Sequence, residues 1–164
     1  MSFKIFVSYS TKDLTQVELL KSQLVGTTID VFIAEHSILA SQELAPTISK
    51  AITECDLFVV LWSNNAKNSD WVSQEIGRAD TLNKTILPLV LDDGLNLPGF
   101  ISRLKYIPVY KNENASLSQA REIIINAYES KKEQQKVAQE KKKKDSDTLV
   151  LMGIGAFLLW ANSK

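Results

Sequence analysis

The residues with the most chemical content sit in one short stretch, Trp71-Val-Ser-Gln-Glu75. A spacing of four places an aromatic ring and a carboxylate on one side of a helix. That side differs from the one carrying Val72, Ile76 and Ala79. Such a pair can stack a planar ring on Trp71 while the carboxylate orders sugar hydroxyls. The same spacing also suits a partly buried Trp beside a solvated Glu on an ordinary amphipathic helix. A second stretch, Ser8-Tyr-Ser-Thr-Lys-Asp13, ends an apolar run. Its hydroxyls and N–H groups can hold a phosphate at a helix start. Equally, Ser10, Thr11 or Asp13 can simply cap that helix.

The remaining reactive residues are few. His36 is the one histidine, flanked by Glu35 and Glu43 in a loop-like segment, and Cys55 is the one cysteine. That count excludes an intrachain disulfide framework and a His/Cys-rich metal cluster, so no metal site is expected. Cys55 lies at an apolar helix end and reads as a buried, inert thiol. Neither G-x-G-x-x-G nor G-x-x-x-x-G-K-[ST] occurs, which argues against a Rossmann dinucleotide site and a P-loop.

These residues need a scaffold, and the apolar pattern supplies one. Residues 4–8, 29–34, 57–62, 85–91 and 106–109 read as strands, with 57–62 apolar on both faces and Pro108 marking an edge. Helices are expected between them. Leu14, Val17, Leu20 and Leu24 form one stripe, with Thr15 and Glu18 as a capping box. Leu44, Ile48 and Ile52 form another; Val72, Ile76 and Ala79 form a third, capped by Asp70. Residues 35–43 and 63–69 read as loops, and Leu117, Ala120, Ile124, Ala127 and Tyr128 mark a final helix. Continuously apolar strands need cover on both faces, so the expected fold is α/β: a five-stranded parallel, flavodoxin-like sheet with helices on both sides. Ligands of such sheets bind beyond the carboxyl ends of the strands, here 8–13, 34–43 and 63–75.

Order and spacing along residues 3–128 resemble the TIR (Toll/interleukin-1 receptor) domain family. The resemblance rests on five boxes: Ile5–Asp13, Val31–Ala34, Ile48–Ser63, Ser69–Ile76 with its W-x-x-x-E element, and Ile86–Val90. Ala34 and Ser41 stand where many members carry Asp and Gly. The resemblance implies the flavodoxin-like TIR fold and, for many members, hydrolysis or cyclisation of NAD. It implies that Glu75 is the catalytic glutamate. Tyr9, Ser10, Trp71 and the loop around Glu35, His36 and Ile38 would line the site. NAD is then the substrate, no separate cofactor is needed, and self-association is implied. One carboxylate is chemically sufficient, because nicotinamide leaves a cationic pyridinium as a neutral molecule and needs no general acid. Glycosidases acting on O-glycosides, by contrast, use two carboxyl groups. Two rival readings remain: a non-enzymatic TIR–TIR interaction module in signalling, and a flavodoxin-like regulatory domain that binds a nucleotide.

The formal charge of zero is the sum of unlike parts. Residues 1–130 carry a net −4 and residues 131–147 a net +3. A globally basic nucleic-acid binder is excluded. The chain therefore reads as a TIR domain over 1–130, a charged helix extension or linker over 131–147, and an apolar tail over 148–164. Lys141–Lys144 beside the run Leu149–Ala161 suggest a C-terminal membrane anchor that keeps the domain cytoplasmic.

Overall fold

The five segments that read as strands form a single all-parallel sheet in the order β2-β1-β3-β4-β5. The computed structural model describes residues 2–33 and 44–161, with side chains described through residue 143. The strands are β1 (Phe3–Ser8), β2 (Ile29–Ile33), β3 (Leu57–Trp62), β4 (Ile86–Val90) and β5 (Ile107–Pro108). The helices are α1 (Leu14–Gln23), α2 (Leu44–Glu54), α3 (Asn64–Lys67), α4 (Asp70–Thr81) and α5 (Glu113–Ala161). Every residue of β3 is buried, as a central strand covered on both faces requires. β5 lies at the edge, where the missing N–H of Pro108 costs no ladder bond.

The sheet separates two apolar layers. Phe6 stacks on Phe32 at 5.5 Å and on Phe58 at 5.3 Å, centroid to centroid. Phe6 and Phe58 pack in one core with Ile48 and Ile52 of α2, Ala66 of α3, and Val72, Ile76 and Ala79 of α4. Strand alternation turns Val7, Val59 and Leu61 to the opposite face. There α1 buries Val17 and Leu20, and the start of α5 buries Leu117, Ala120 and Ile124. Arg121 Nε donates to the Gln23 carbonyl at 2.8 Å and ties these two helices together.

Several boundaries differ from the expectation, two of them through a serine hydroxyl that caps a helix. Residues 63–69 are not all loop: Ser63 caps α3, its Oγ accepting from Ala66 N at 2.9 Å. Ser69, not Asp70, caps α4. Thr15 caps nothing, because α1 already begins at Leu14 and follows a short 3-10 turn over Thr11–Asp13. The expected loop 35–43 lies outside the described residues.

The chain divides into two compact units, Met1–Ile125 and Asn126–Lys164. In the second, residues 131–147 are helical. The expected C-terminal anchor over 148–164 gains no support: among the described residues no helix is long and apolar enough to cross a membrane. The reason is length. The apolar run 149–161 has 13 residues and is preceded by Asp145 and Asp147. As a helix it spans roughly 20 Å, against about 30 Å of bilayer hydrocarbon.

Candidate functional site

Strand order reverses between β1 and β3, so their carboxyl ends open the crevice of this fold. β1 ends at Ser8, fully buried and in register with Val60 of β3. The chain beyond β3 is fixed by Asp13, which is also buried. Ser63 Oγ donates to Asp13 Oδ2 at 2.5 Å, and Asn65 Nδ2 donates to Asp13 Oδ1 at 2.8 Å. Both carboxylate oxygens are thus occupied, and the turn into α3 is anchored to the end of β1's own loop.

α4 is the element that carries the chemistry. Val72, Ile76 and Ala79 are fully buried and set its rotation against the sheet. At 100° per residue, Glu75 falls about 60° from Val72, on the flank of that buried face, and Trp71 falls further round. The outcome inverts the ordinary amphipathic alternative. Glu75 is 3% exposed, whereas Trp71 is 45% exposed. Ser8 Oγ donates to Glu75 Oε2 at 2.5 Å, so the carboxylate of α4 meets the end of β1. Burial raises the Glu75 pKa from 4.5 to about 7, and the Ser8 hydrogen bond opposes part of that rise.

A cleft of about 160 Å³ opens beside this pair, between α2 and α4. Ala45, Ile48, Ser49 and Ile52, none of them charged, form the α2 wall among the described residues. Trp71, Gln74, Glu75 and Arg78 form the other. The structure therefore brings Trp71 and Glu75 to one cleft. Tyr9, 2% exposed, and Ser10, 8% exposed, are buried and are not in its lining. Ser10 Oγ faces Lys12 N at 3.5 Å, in the capping position. Glu35, His36 and Ile38 lie outside the described residues. Sequence reasoning missed Ser8, Gln74 and Arg78. Ser8 could have been found as the one hydroxyl of β1, at its carboxyl end. Arg78 could have been found by extending the i, i+4 row of Trp71 and Glu75 by one further turn.

A wider cleft of about 250 Å³ runs from Lys4 and Asp30 to Glu54 and Cys55. These residues lie at the amino ends of β1 and β2 and the end of α2, away from the crevice. Lys4 Nζ is occupied there by Glu54 at 2.8 Å. Cys55 is buried, and burial pushes its thiol pKa up, which fits an unreactive thiol.

The TIR domain family model matches residues 5–124 of this chain. Among solved structures, the TIR domain of the Toll-related receptor TRR-2 from Hydra magnipapillata is similar at TM-score 0.61 and 16% identity, covering 76% of this chain and 97% of that one. The CMP N-glycosidase BcmB of Clostridium botulinum is similar at TM-score 0.55 and 22% identity, covering 71% of this chain and 97% of that one. The 2-deoxyribosyltransferase of Bacillus psychrosaccharolyticus is similar at TM-score 0.55 and 15% identity, covering 70% and 95%. At these identities the likeness is one of fold. Comparison with curated proteins finds no match.

Proposed function

The chain belongs to the TIR domain family, and from that premise we propose that it cleaves the nicotinamide–ribose bond of NAD at Glu75. The observation that carries this reading is a buried glutamate with a pKa of about 7, held by Ser8 and beside an exposed Trp in a cleft. A carboxylate in a dry site stabilises positive charge far better than one in water. Positive charge is what develops at C1′ as the bond breaks. The bonding electron pair leaves with nicotinamide, which departs neutral. Glu75 accepts hydrogen bonds from the ribose and holds the oxocarbenium-like centre by charge. Water then adds at C1′ and releases its proton, giving ADP-ribose and nicotinamide; an internal nucleophile in place of water gives a cyclic product. Trp71 offers its face to the departing ring. Two proteins of similar fold bear the names of an N-glycosidase and a deoxyribosyltransferase, and bond cleavage at a sugar–base linkage fits this proposal.

The test is nicotinamide release from NAD by the full chain. Glu75→Ala should lower the rate by at least about 100-fold. The reading fails if the wild-type chain releases none at any protein concentration, or if Glu75→Ala leaves the rate unchanged. The family resemblance adds assembly of several copies to the proposal, so activity per molecule should rise with protein concentration.

The pH profile is a second check. The ionised carboxylate is the working form, so kcat/KM should climb as pH passes through about 7. Bound NAD places a pyridinium cation near Glu75 and favours its charged form. The kcat profile should therefore climb at lower pH than the kcat/KM profile.

A further inference from the structure

We propose that Arg78 is a positioning residue that holds the 5′-phosphate of the substrate, so that the site selects phosphorylated nicotinamide ribosides over the bare riboside. This rests on the reading of Glu75 given above and names a contact that reading does not use. Three observations converge on it. Arg78 lines the cleft on the same wall as Trp71 and Glu75. It lies three residues beyond Glu75 and seven beyond Trp71, so the three side chains share one row along α4. Among the described residues it is the one cationic side chain in the cleft lining, and those of the opposite wall carry no charge.

Arg78 is also uncommitted among the described residues, as most cations of the first unit are. Among the described residues its guanidinium takes part in no ion pair. The carboxylate one turn before it, Glu75, is turned inward to Ser8. The carboxylate two residues after it, Asp80, is taken by Arg103 at 2.9 Å. An exposed guanidinium presents a planar fork that matches phosphate oxygens. Three residues of helix amount to a rise of about 4.5 Å. That rise, together with the reach of the arginine, is about the span from the reacting carbon of a ribose to its 5′-phosphate. The cleft is about 160 Å³, small beside the roughly 300–1,000 Å³ of ordinary ligand pockets. Arg78 is an exposed member of its lining, open to the part of a larger substrate that extends beyond it.

The experiment compares wild type, Arg78→Gln and Arg78→Lys in the full chain with nicotinamide mononucleotide and nicotinamide riboside. Arg78→Gln should raise KM for the mononucleotide about 10-fold, leave kcat within about twofold, and leave the riboside constants unchanged. Arg78→Lys should recover part of the KM loss, since it keeps the charge and loses the fork. An equal KM shift for both substrates, or none for the mononucleotide, overturns the assignment. Binding of ADP-ribose against adenosine, followed by calorimetry, separates this claim from the reaction itself. ADP-ribose affinity that falls about 10-fold in Arg78→Gln, in a protein without turnover, sinks only the proposed reaction. Equal affinity in the two proteins, or no binding by either, sinks the role of Arg78. The Arg78 side chain is exposed and makes no hydrogen bond or ion pair among the described residues, so an unchanged melting temperature should accompany these effects.

Discussion

A carboxyl group with a pKa of about 7 is poised to change charge at neutral pH, and in Glu75 that poise has a thermodynamic cost. Below pH about 4.5 the group is neutral in both the folded and the unfolded chain, and its burial carries no electrostatic penalty. As pH rises from there to about 7, the unfolded chain ionises first, and stability is lost. Above pH 7 the folded protein holds a buried charge, and the total loss reaches about 3 kcal/mol. Glu75→Gln removes this titration and keeps an oxygen for Ser8. Urea denaturation at several pH values should therefore show the variant gaining on the wild type from pH 4.5 to 7, then holding a constant advantage. A difference that does not vary with pH would remove Glu75 as the buried titrating group. Ser8→Ala acts in the opposite sense on the same group. The Ser8 hydrogen bond lowers the Glu75 pKa, so its loss should move the midpoint of the kcat/KM profile to higher pH.

At the scale of elements, the site depends on how α4 is held. Its rotation comes from Val72, Ile76 and Ala79 in the core, and its start comes from Ser69. The Ser69 Oγ to Val72 N distance is 3.4 Å, a long capping bond. Ser69→Ala should then cost about 0.5 kcal/mol, near the low end for such caps. Asp13 is worth more. It accepts from both Ser63 and Asn65 while buried, so Asp13→Ala strands two donors at the start of α3. About 1–3 kcal/mol of stability should be lost, read as a lower urea midpoint with an unchanged slope. Ile76→Ala, at a fully buried position in the same core, should cost about 2–5 kcal/mol.

For the molecule as a whole, the two units are stabilised by different means. The first has a sheet with a packed layer on each face. The second, where its side chains are described, is a helix exposed on nearly every side, with Val137 57% exposed. A helix that is polar all round draws its stability from local propensity and pairs such as Lys136–Glu133, worth a few tenths of a kcal/mol each. Amide hydrogen exchange should therefore divide α5 in two. Residues 117–124, which bury Leu117, Ala120 and Ile124, should exchange at rates near those of β3. Residues 130–143 should exchange orders of magnitude faster. Equal protection along the helix would mean that the second unit is packed against something.

The apolar spacing by itself determined the alternation of strands and helices, the parallel sheet, the central place of β3 and the edge at Pro108. These follow from local rules: period, burial on both faces, and the missing N–H of proline. The pairing of Trp71 with Glu75 was legible for the same reason, since helical spacing is a local quantity. Three decisive facts were not local. Glu75 lies on the flank of α4, where spacing allows burial or solvation, and only the packing of α4 against β1 buried it. Ser8 is 67 residues from Glu75 in the chain, and only the sheet brought them to 2.5 Å. Asp13 reads as a helix cap, yet its carboxylate is claimed by Ser63, 50 residues away. A titration near neutrality needs desolvation, and desolvation is a property of the packed interior, not of any single segment. The sequence thus named the carboxylate, and the tertiary structure decided its charge.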